Sequence, residues 1–304
     1  MKVYTKIKDN MFSKTSLALG FFDGLHLGHK QVILDTIKKS EELSTSPTVL
    51  TLANHPVEVL WDVKPEFITT LDERLELFEN TGIENVVIFE FTKELAHYSA
   101  EEYLKNVILK LNPKSITMGY NHHFGAEKTG DDNFLKTAGE KFGFNVSVIS
   151  PVQLDGKTIS STLIRNLIKT GQASEVVKFL GRAYKIKNKV IKGEQRGRKI
   201  GFPTANLTVP TRKIVPGFGV YIGTVIHNNI LYNCIINVGL RPTFEDLTEP
   251  LVEVHILDFD KDIYGEILEV NFCKKIRNET KFSSIDELKS QIQKDLCLLI
   301  EGQN

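Results

Sequence analysis

LALGFFDGLHLGHKQVILDTIKK, residues 17–39, decides how the first half of the chain folds. Leu17–Leu19 suits the end of a buried strand. Gly20 and Gly24 permit a tight turn. Beyond the turn, Val32, Ile33, Thr36 and Ile37 recur at helical spacing. A strand that runs through a glycine turn into a helix is the unit from which parallel α/β sheets are built. His26 and His29 fall at that junction, where free N–H groups and the helix dipole favour a phosphate. Two imidazoles placed there can donate hydrogen bonds to a phosphoryl group as charge builds on it.

The unit repeats outward. SPTVLTLA (46–53) reads as a buried strand. TLDERLELFENTG (70–82) reads as a helix with Leu71, Leu75 and Phe78 on its apolar face and Gly82 as its stop. NVVIFEF (85–91) is a strand, and SAEEYLKNVILKL (99–111) is a helix opened by a Ser99–Glu102 capping box. SITMGY (115–120) and NVSVIS (145–150) are further strands. The alternation predicts a parallel sheet covered by helices, with ligands beyond the C-terminal strand ends. SSTLIRNLIKTGQASEVVKFLG (160–181) is helical, with a break at Thr170-Gly171.

From Tyr184 the pattern changes to strands, over 184–191, 219–226, 230–239, 252–259 and 267–273. Asn228-Asn229 marks a hairpin turn. SSIDELKSQIQKDLCLLIEG (283–302) is a terminal amphipathic helix. Ser284 and Glu287 fit a capping box, and Ile285, Leu288, Ile292, Leu296 and Leu299 share one face. The expectation is a Rossmann-like α/β parallel-sheet domain over 1–182. A small antiparallel β-barrel with a terminal helix is expected over 183–304. There is no internal repeat or low-complexity tract, and no Pro/Gly-rich linker near 181–184.

Composition is that of an ordinary globular protein: 304 residues, 41% apolar and 25% charged. A formal net charge of zero argues against a general nucleic-acid binder. No apolar run approaches membrane-spanning length, and MKVYTKIKDN lacks the apolar core of a signal peptide. Cys234, Cys273 and Cys297 are odd in number and widely spaced. They read as reduced core thiols of a cytoplasmic protein, not as disulfides or zinc ligands.

A second chemical block is GEQRGRKIGFPTANL, residues 193–207. Gly193, Gly197 and Gly201 let N–H groups turn inward around an anion, among the cations Arg196, Arg198 and Lys199. Pro203 fixes one dihedral just where Thr204 and Asn206 point their oxygens. Two residues apart on an extended chain, those oxygens share a face. Hard oxygen ligands beside a phosphate cradle suit Mg²⁺. The plainer reading is a basic surface loop. In ISSTLIR (159–165), Ser160, Ser161 and Thr162 either cap a helix or hold a triphosphate with Arg165 as charge partner.

The PTAN tail resembles the signature of riboflavin kinases. The G-x-F-D-G-x-H-x-G-H block at 20–29 resembles the HxGH signature of α/β nucleotidyltransferases, in the form found in bacterial FMN adenylyltransferases. In this order, over nearly the whole chain, the two resemble the bacterial bifunctional riboflavin kinase/FAD synthetase family. That resemblance implies ATP-dependent phosphorylation of riboflavin to FMN, then adenylylation of FMN to FAD with release of pyrophosphate. It implies His26, His29 and Arg165 as the adenylyl-transfer residues. Gly20, Phe22, Asp23, Gly24, Gly28, Ser160, Ser161 and Thr162 become nucleotide-binding positions, and Asn121 orients a phosphate or the flavin. In the second half it implies Mg²⁺ on Thr204 and Asn206, and an ATP loop including Gly193, Arg198, Gly201 and Pro203. Glu253 becomes the general base and Arg277 a flavin contact. Apo-flavoproteins would accept the FAD, with no nucleic-acid or membrane partner.

The chain departs from the family pattern in places. TLANHPVEV (51–59) has Leu52 and Ala53 where an aromatic and an acid are usual. His55 by itself reads as a hydrogen-bonded loop histidine. GYNHHFGAEKTGD (119–131) keeps Asn121, Phe124, Gly125 and Gly130, but His122 replaces an aromatic. His122 and His123 lack Cys or acid partners at metal-ligand spacing. NVGLRPTF (237–244), the strand-turn-strand at 252–270 and IRNETKF (276–282) resemble kinase segments, with Glu253 and His255 on one side of their strand. Two rival readings stay open: a riboflavin kinase whose adenylyltransferase half is impaired, and a flavin-sensing binding protein without turnover.

Overall fold

The alternating apolar runs of the first half pair side by side in the computed structural model, which describes residues 1–9, 11–193, 196–242 and 248–301. The chain forms two compact units, Met1–Ser161 and Thr162–Asn304.

In the first unit β1 (Lys2–Tyr4), β2 (Thr15–Leu19), β3 (Ser46–Leu52), β4 (Asn85–Phe89), β5 (Pro113–Gly119) and β6 (Asn145–Ile149) form one sheet. Its order is β1-β4-β3-β2-β5-β6, and every pairing is parallel. The period of two sends alternate residues to opposite faces. Leu17, Leu19, Leu50 and Val87 enter one core, and Ala18, Val49, Val86 and Ile88 the other. Val32 and Ile33 of α1 (Leu27–Leu43) cover the second core. The short α2 (Pro56–Trp61) follows β3, and α3 (Leu71–Glu79) adds Phe78 to the same core.

The short α4 (Lys93–Ala96) precedes α5 (Ala100–Tyr103). The single helix expected over 99–111 is three pieces. After α5 come a π turn at Leu104–Ile108 and a 3₁₀ turn at Leu109–Leu111. The change of winding keeps Leu104, Val107, Ile108 and Leu111 buried against the sheet. Here α6 (Asp132–Phe142) adds Leu135 and Ala138. A small hairpin, β7 (Gln153–Leu154) with β8 (Lys157–Thr158), was not expected. Its Asp155-Gly156 turn has φ of 51° and 72°, the hairpin signature of an Asp-Gly pair.

Chain order along the sheet reverses at β2. From there β3 and β4 run to one side, β5 and β6 to the other. Ligands in open parallel sheets bind at such a reversal, beyond the C-terminal strand ends.

The second unit opens with α7 (Ser161–Lys169), whose first residue ends the first unit, and α8 (Ala173–Leu180). Then come β9 (Tyr184–Ile191), α9 (Arg196–Lys199), β10 (Ala205–Thr208), β11 (Gly219–His227), β12 (Ile230–Pro242), β13 (Thr248–Ile256), β14 (Ile267–Arg277) and α10 (Ile285–Glu301). The strands close a barrel in the order β10-β13-β12-β11-β14-β9. Asn228 and Asn229, at φ of 49° and 61°, make the expected tight turn. In α10, Ser284 Oγ accepts the Glu287 N–H at 3.1 Å. The Glu287 carboxylate returns to Ser283 rather than Ser284, at 2.9 and 2.7 Å. Leu296 and Leu299 pack on Val220 and Ile235, but Ile285 is 62% exposed, so only the C-terminal part of the expected face is used. All three cysteines are free. Cys297 is exposed on α10, which corrects the reading of it as a core thiol.

Helices α7 and α8 pack on the barrel. Gly217 N–H donates to Ile168 O at 2.9 Å. Val176, Phe179 and Leu180 are buried. A fragment of residues 160–304 therefore has a higher melting temperature than one of residues 184–304. Each of those side chains contributes about 1.5–3 kcal/mol by burial. Equal melting temperatures for the two fragments would count against this packing.

Candidate active sites

In the first unit the loop after β2 is stitched to the segment before α3. Asp23, only 2% exposed, accepts the N–H groups of Ile68 (3.1 Å) and Thr69 (3.0 Å) and the Thr69 hydroxyl (3.1 Å). The Gly24 N–H donates to Thr69 Oγ1 at 2.9 Å. Gly24 has φ +80°, and a Cβ there would meet Ile68 at 2.9 Å, so only glycine fits. Phe22 is buried, with its ring edge-on to His29 at 5.3 Å and to Phe78 at 5.6 Å. Gly20 lies against that ring. The resemblance made Phe22 and Asp23 nucleotide-binding positions. Their side chains lie in the protein interior and support the loop.

His26 caps α1. Its Nδ1 accepts the His29 N–H at 3.2 Å, which leaves Nε2 as the protonated nitrogen of the neutral ring. The His26 and His29 rings stack at 3.6 Å and 15°, with Gly28 beside the His26 ring. The Ser161 hydroxyl donates to Asp23 O at 3.0 Å, bringing the ISST segment to this loop. Ser160 precedes it, while Thr162 and Arg165 continue along α7. The structure thus brings together His26, His29, Ser161 and the Gly20–Gly28 loop.

Asn121 is exposed just past β5, the strand beside β2 where chain order reverses. Phe124 and Gly130 exchange N–H···O bonds at 3.0 and 2.9 Å and close the segment between them. His122 is half-buried, and its pKa is lowered to about 4, first by burial and then by His123. A neutral flat ring therefore stands where an aromatic is usual. His55 caps α2 by accepting the Val57 N–H at 3.2 Å, the hydrogen-bonded loop histidine expected of it. Ala53 packs into the apolar core. Sequence reasoning passed over Arg74, which the helical pattern gave no reason to bury, yet it is 3% exposed.

In the second unit three polar residues align across the barrel. Asn206 of β10 lies opposite Glu253 of β13, and Glu253 lies opposite Asn237 of β12. Residues directly opposite on paired strands share a face. Asn237 Nδ2 donates to Glu253 Oε2 at 3.4 Å. Val252 and Val254, flanking Glu253, are fully buried on the other face. Asn206 is 4% exposed, and a Cβ on Gly193 would come within 2.5 Å of its Nδ2. That contact explains the glycine at 193. The loop turns back where the Phe202 N–H meets Gly197 O at 2.9 Å.

Gly201 has φ +92°, and Arg198 is exposed. The imidazole of His255 bonds through Nδ1 to Pro203 O at 2.8 Å, latching the turn that presents Thr204. Asn237 and His255 were not named as site residues. Asn237 lay inside NVGLRPTF, whose Thr243 and Phe244 fall outside the described residues, as do Glu194 and Gln195 of the glycine-rich loop. Arg277 is the residue expected at the flavin. It pairs with Asp295 of α10 through Nε at 3.1 Å and a terminal nitrogen at 2.9 Å, and its remaining nitrogen donates to Asn278 O. With Asp295 1% exposed, the pair anchors the terminal helix.

Residues 8–163 match the FAD synthetase family and residues 180–299 the riboflavin kinase family. The bifunctional riboflavin kinase/FMN adenylyltransferase of Haemophilus influenzae is 36% identical over 284 residues, covering 92% of each chain. That of Bacillus subtilis is 35% identical over 292 residues, covering 93% of this chain and 90% of its own. A crystal structure described as a macrolide-efflux protein from Streptococcus pneumoniae superposes with a TM-score of 0.91 at 31% identity. It covers 98% of this chain and 99% of its own. This chain belongs to the bifunctional riboflavin kinase/FMN adenylyltransferase family. Among its described residues no helix is long and apolar enough to cross a membrane.

His122 sets an acid limit on the first unit. Its folded pKa of about 4 lies below the ordinary histidine value of 6.5. Between these values the unfolded chain binds more protons, so stability falls as pH drops through that window. His122→Phe should flatten this slope by on the order of 1 kcal/mol at pH 5 and leave pH 7.5 unchanged. Urea midpoints at the two pH values measure it. An unchanged slope would mean that His122 protonates freely in the fold.

Proposed function

We propose that the chain phosphorylates riboflavin to FMN in its barrel unit and adenylylates FMN to FAD at the strand ends of its parallel sheet, with ATP as donor in both. The observation that carries the reading is the presence of two complete polar constellations in one family member. One is the stacked His26–His29 pair at the start of α1. The other is the Asn206–Glu253–Asn237 row.

In the kinase half, Glu253 accepts the proton of the riboflavin 5′-hydroxyl. The freed oxygen attacks the γ-phosphorus of ATP, and ADP leaves. Asn237 holds the carboxylate and His255 holds the PTAN turn, so the chain's contribution is largely positioning. Gly193, Arg198, Gly201 and Pro203 form the ATP loop. The donor set suits Mg²⁺. Among the described residues no three His, Cys, Asp or Glu cluster as a dedicated cage, and Thr204 and Asn206 would hold the cation through their hard side-chain oxygens. When bound, Mg²⁺ neutralises phosphate charge.

In the adenylyltransferase half, an FMN phosphate oxygen attacks the α-phosphorus of ATP and pyrophosphate leaves. His26 through its Nε2–H, together with His29, donates to the phosphoryl oxygens as their charge grows. Gly20, Gly24 and Gly28 keep the loop close to the phosphates. Ser160, Ser161, Thr162 and Arg165 hold the triphosphate, and Asn121 orients FMN. The working boundary is 182/183. Cytoplasmic apo-flavoproteins take up the product, a setting consistent with three free thiols.

The two activities separate by mutation. His29→Ala lowers FAD formation about 10²–10³-fold and spares FMN formation. Loss of both in a folded variant would refute two independent sites. Glu253→Gln lowers kcat for FMN formation roughly 10²–10⁴-fold with substrate KM values nearly unchanged. Asn206→Ala raises the Mg²⁺ needed for turnover, and neither barrel variant alters conversion of supplied FMN to FAD. Steady-state kinetics across a Mg²⁺ titration test both. A wild-type kcat in the Glu253 variant would return that carboxylate to the surface of a strand.

A further inference from the structure

We infer that Arg74 is a positioning residue for adenylyl transfer, tying together the loops that leave the C-terminal ends of β2 and β3. The inference rests on the reading of the first unit given above. Arg74 projects from α3 and is 3% exposed. One terminal nitrogen donates to Phe21 O at 2.5 Å and the other to Leu52 O at 3.0 Å. Phe21 lies in the loop after β2, five residues before His26. Leu52 is the last residue of β3 and leads into Ala53-Asn54-His55. One rigid fork therefore spans two adjacent strand ends. The guanidinium also lies 4.5 Å above the Phe21 ring, which is edge-on to His55 at 4.9 Å. Thr51 Oγ1 adds a second donor to Phe21 O at 3.2 Å.

This arrangement is costly enough to require a purpose. Burial lowers the Arg74 pKa to about 10, with the charge of Asp23 acting in the opposite direction, so the group remains a cation at neutral pH. Its Nε is buried with no hydrogen-bond partner among the described residues. Position 53, where the family pattern has an acid, is alanine. The cation is thus held by two carbonyls and a ring, and these belong to the loops that carry His26, His29 and His55. A displacement of about 1 Å at such a distance from the chemistry costs on the order of 100-fold in rate.

The test uses Arg74→Lys and Arg74→Met in the full chain. Each preparation is assayed for FAD formation from FMN and Mg-ATP, and for FMN formation from riboflavin as an internal control. A lysine keeps the charge but offers no planar fork. The expected result for Arg74→Lys is a kcat for FAD formation lowered about tenfold to hundredfold, a nearly unchanged KM for ATP, and unaltered FMN formation. Arg74→Met should lose at least as much. If the methionine variant fails to fold, the lysine variant decides alone. A lysine variant with wild-type kcat overturns the inference, because charge alone would then suffice. Equal loss of both activities also overturns it, as general destabilisation. A wild-type chain that makes no FAD overturns the underlying reading and this inference with it. Wild-type FAD synthesis with an unaffected lysine variant overturns the inference only.

Discussion

Much of the first unit depends on one buried carboxylate. Asp23 is nearly excluded from water and accepts three hydrogen bonds from two consecutive residues of a segment more than 40 positions away. A buried carboxylate is tolerable only when its lone pairs are used, and charge-assisted hydrogen bonds are the strong kind. Once made, they fix where the loop crosses the top of β2. The same residue's carbonyl takes the Ser161 hydroxyl, so side chain and backbone together draw three distant stretches to one point. His26 can then cap α1, and the cap sets the tautomer that leaves its outer nitrogen a donor. The geometry of the histidine pair is thus a consequence of a residue that does not face the same space.

The barrel reaches its polar row by other means. Closure leaves no unpaired strand edge, so register alone decides which side chains meet. Asn206, Glu253 and Asn237 come from three strands far apart in sequence and are neighbours because the ladder makes them so. A slip of one residue in β10 would turn Asn206 into the core and Leu207 out of it. Leu207, fully buried, guards that register with Val252 and Val254. The apolar pattern of the strands is therefore also the device that aligns the carboxylate with its neighbours.

The sequence made legible what depends on local pattern. The strand-turn-helix of 17–39, the capping box at Ser99 and the Asn228-Asn229 turn all stand where periodicity and turn chemistry place them. It hid what depends on distant partners. Phe22 and Asp23 belong to a motif and so read as ligand contacts, but their neighbours in space, Phe78, Ile68 and Thr69, are set by the fold. Arg74 sits where a helical wheel has no reason to bury a cation, until two carbonyls arrive from adjacent strands. Arg277 read as a flavin contact within IRNETKF, while its partner Asp295 lies on the last helix. Cys297 and Ile285 lie on α10 but not on the part of its surface that meets the barrel. Helical periodicity gives a face, and only packing says how much of it is used.

The two sites differ in chemistry because their nucleophiles differ. An FMN phosphate is already anionic near neutral pH, so adenylyl transfer needs donors for the growing charge and no strong base. In the proposed reading the stacked imidazoles at the helix start, one with Nδ1 committed to the cap, serve as those donors. A riboflavin hydroxyl is neutral and must lose a proton, the step proposed for the carboxylate of Glu253. That carboxylate faces one amide donor from Asn237 and stays half-exposed at the barrel surface. A base sealed inside the barrel would be driven toward its protonated form by loss of solvent. Glu253 lies on the outer side of a strand whose inner side is valine, so the backbone holds the carboxylate still. The buried face of the strand fixes its register, and the opposite face carries the carboxylate.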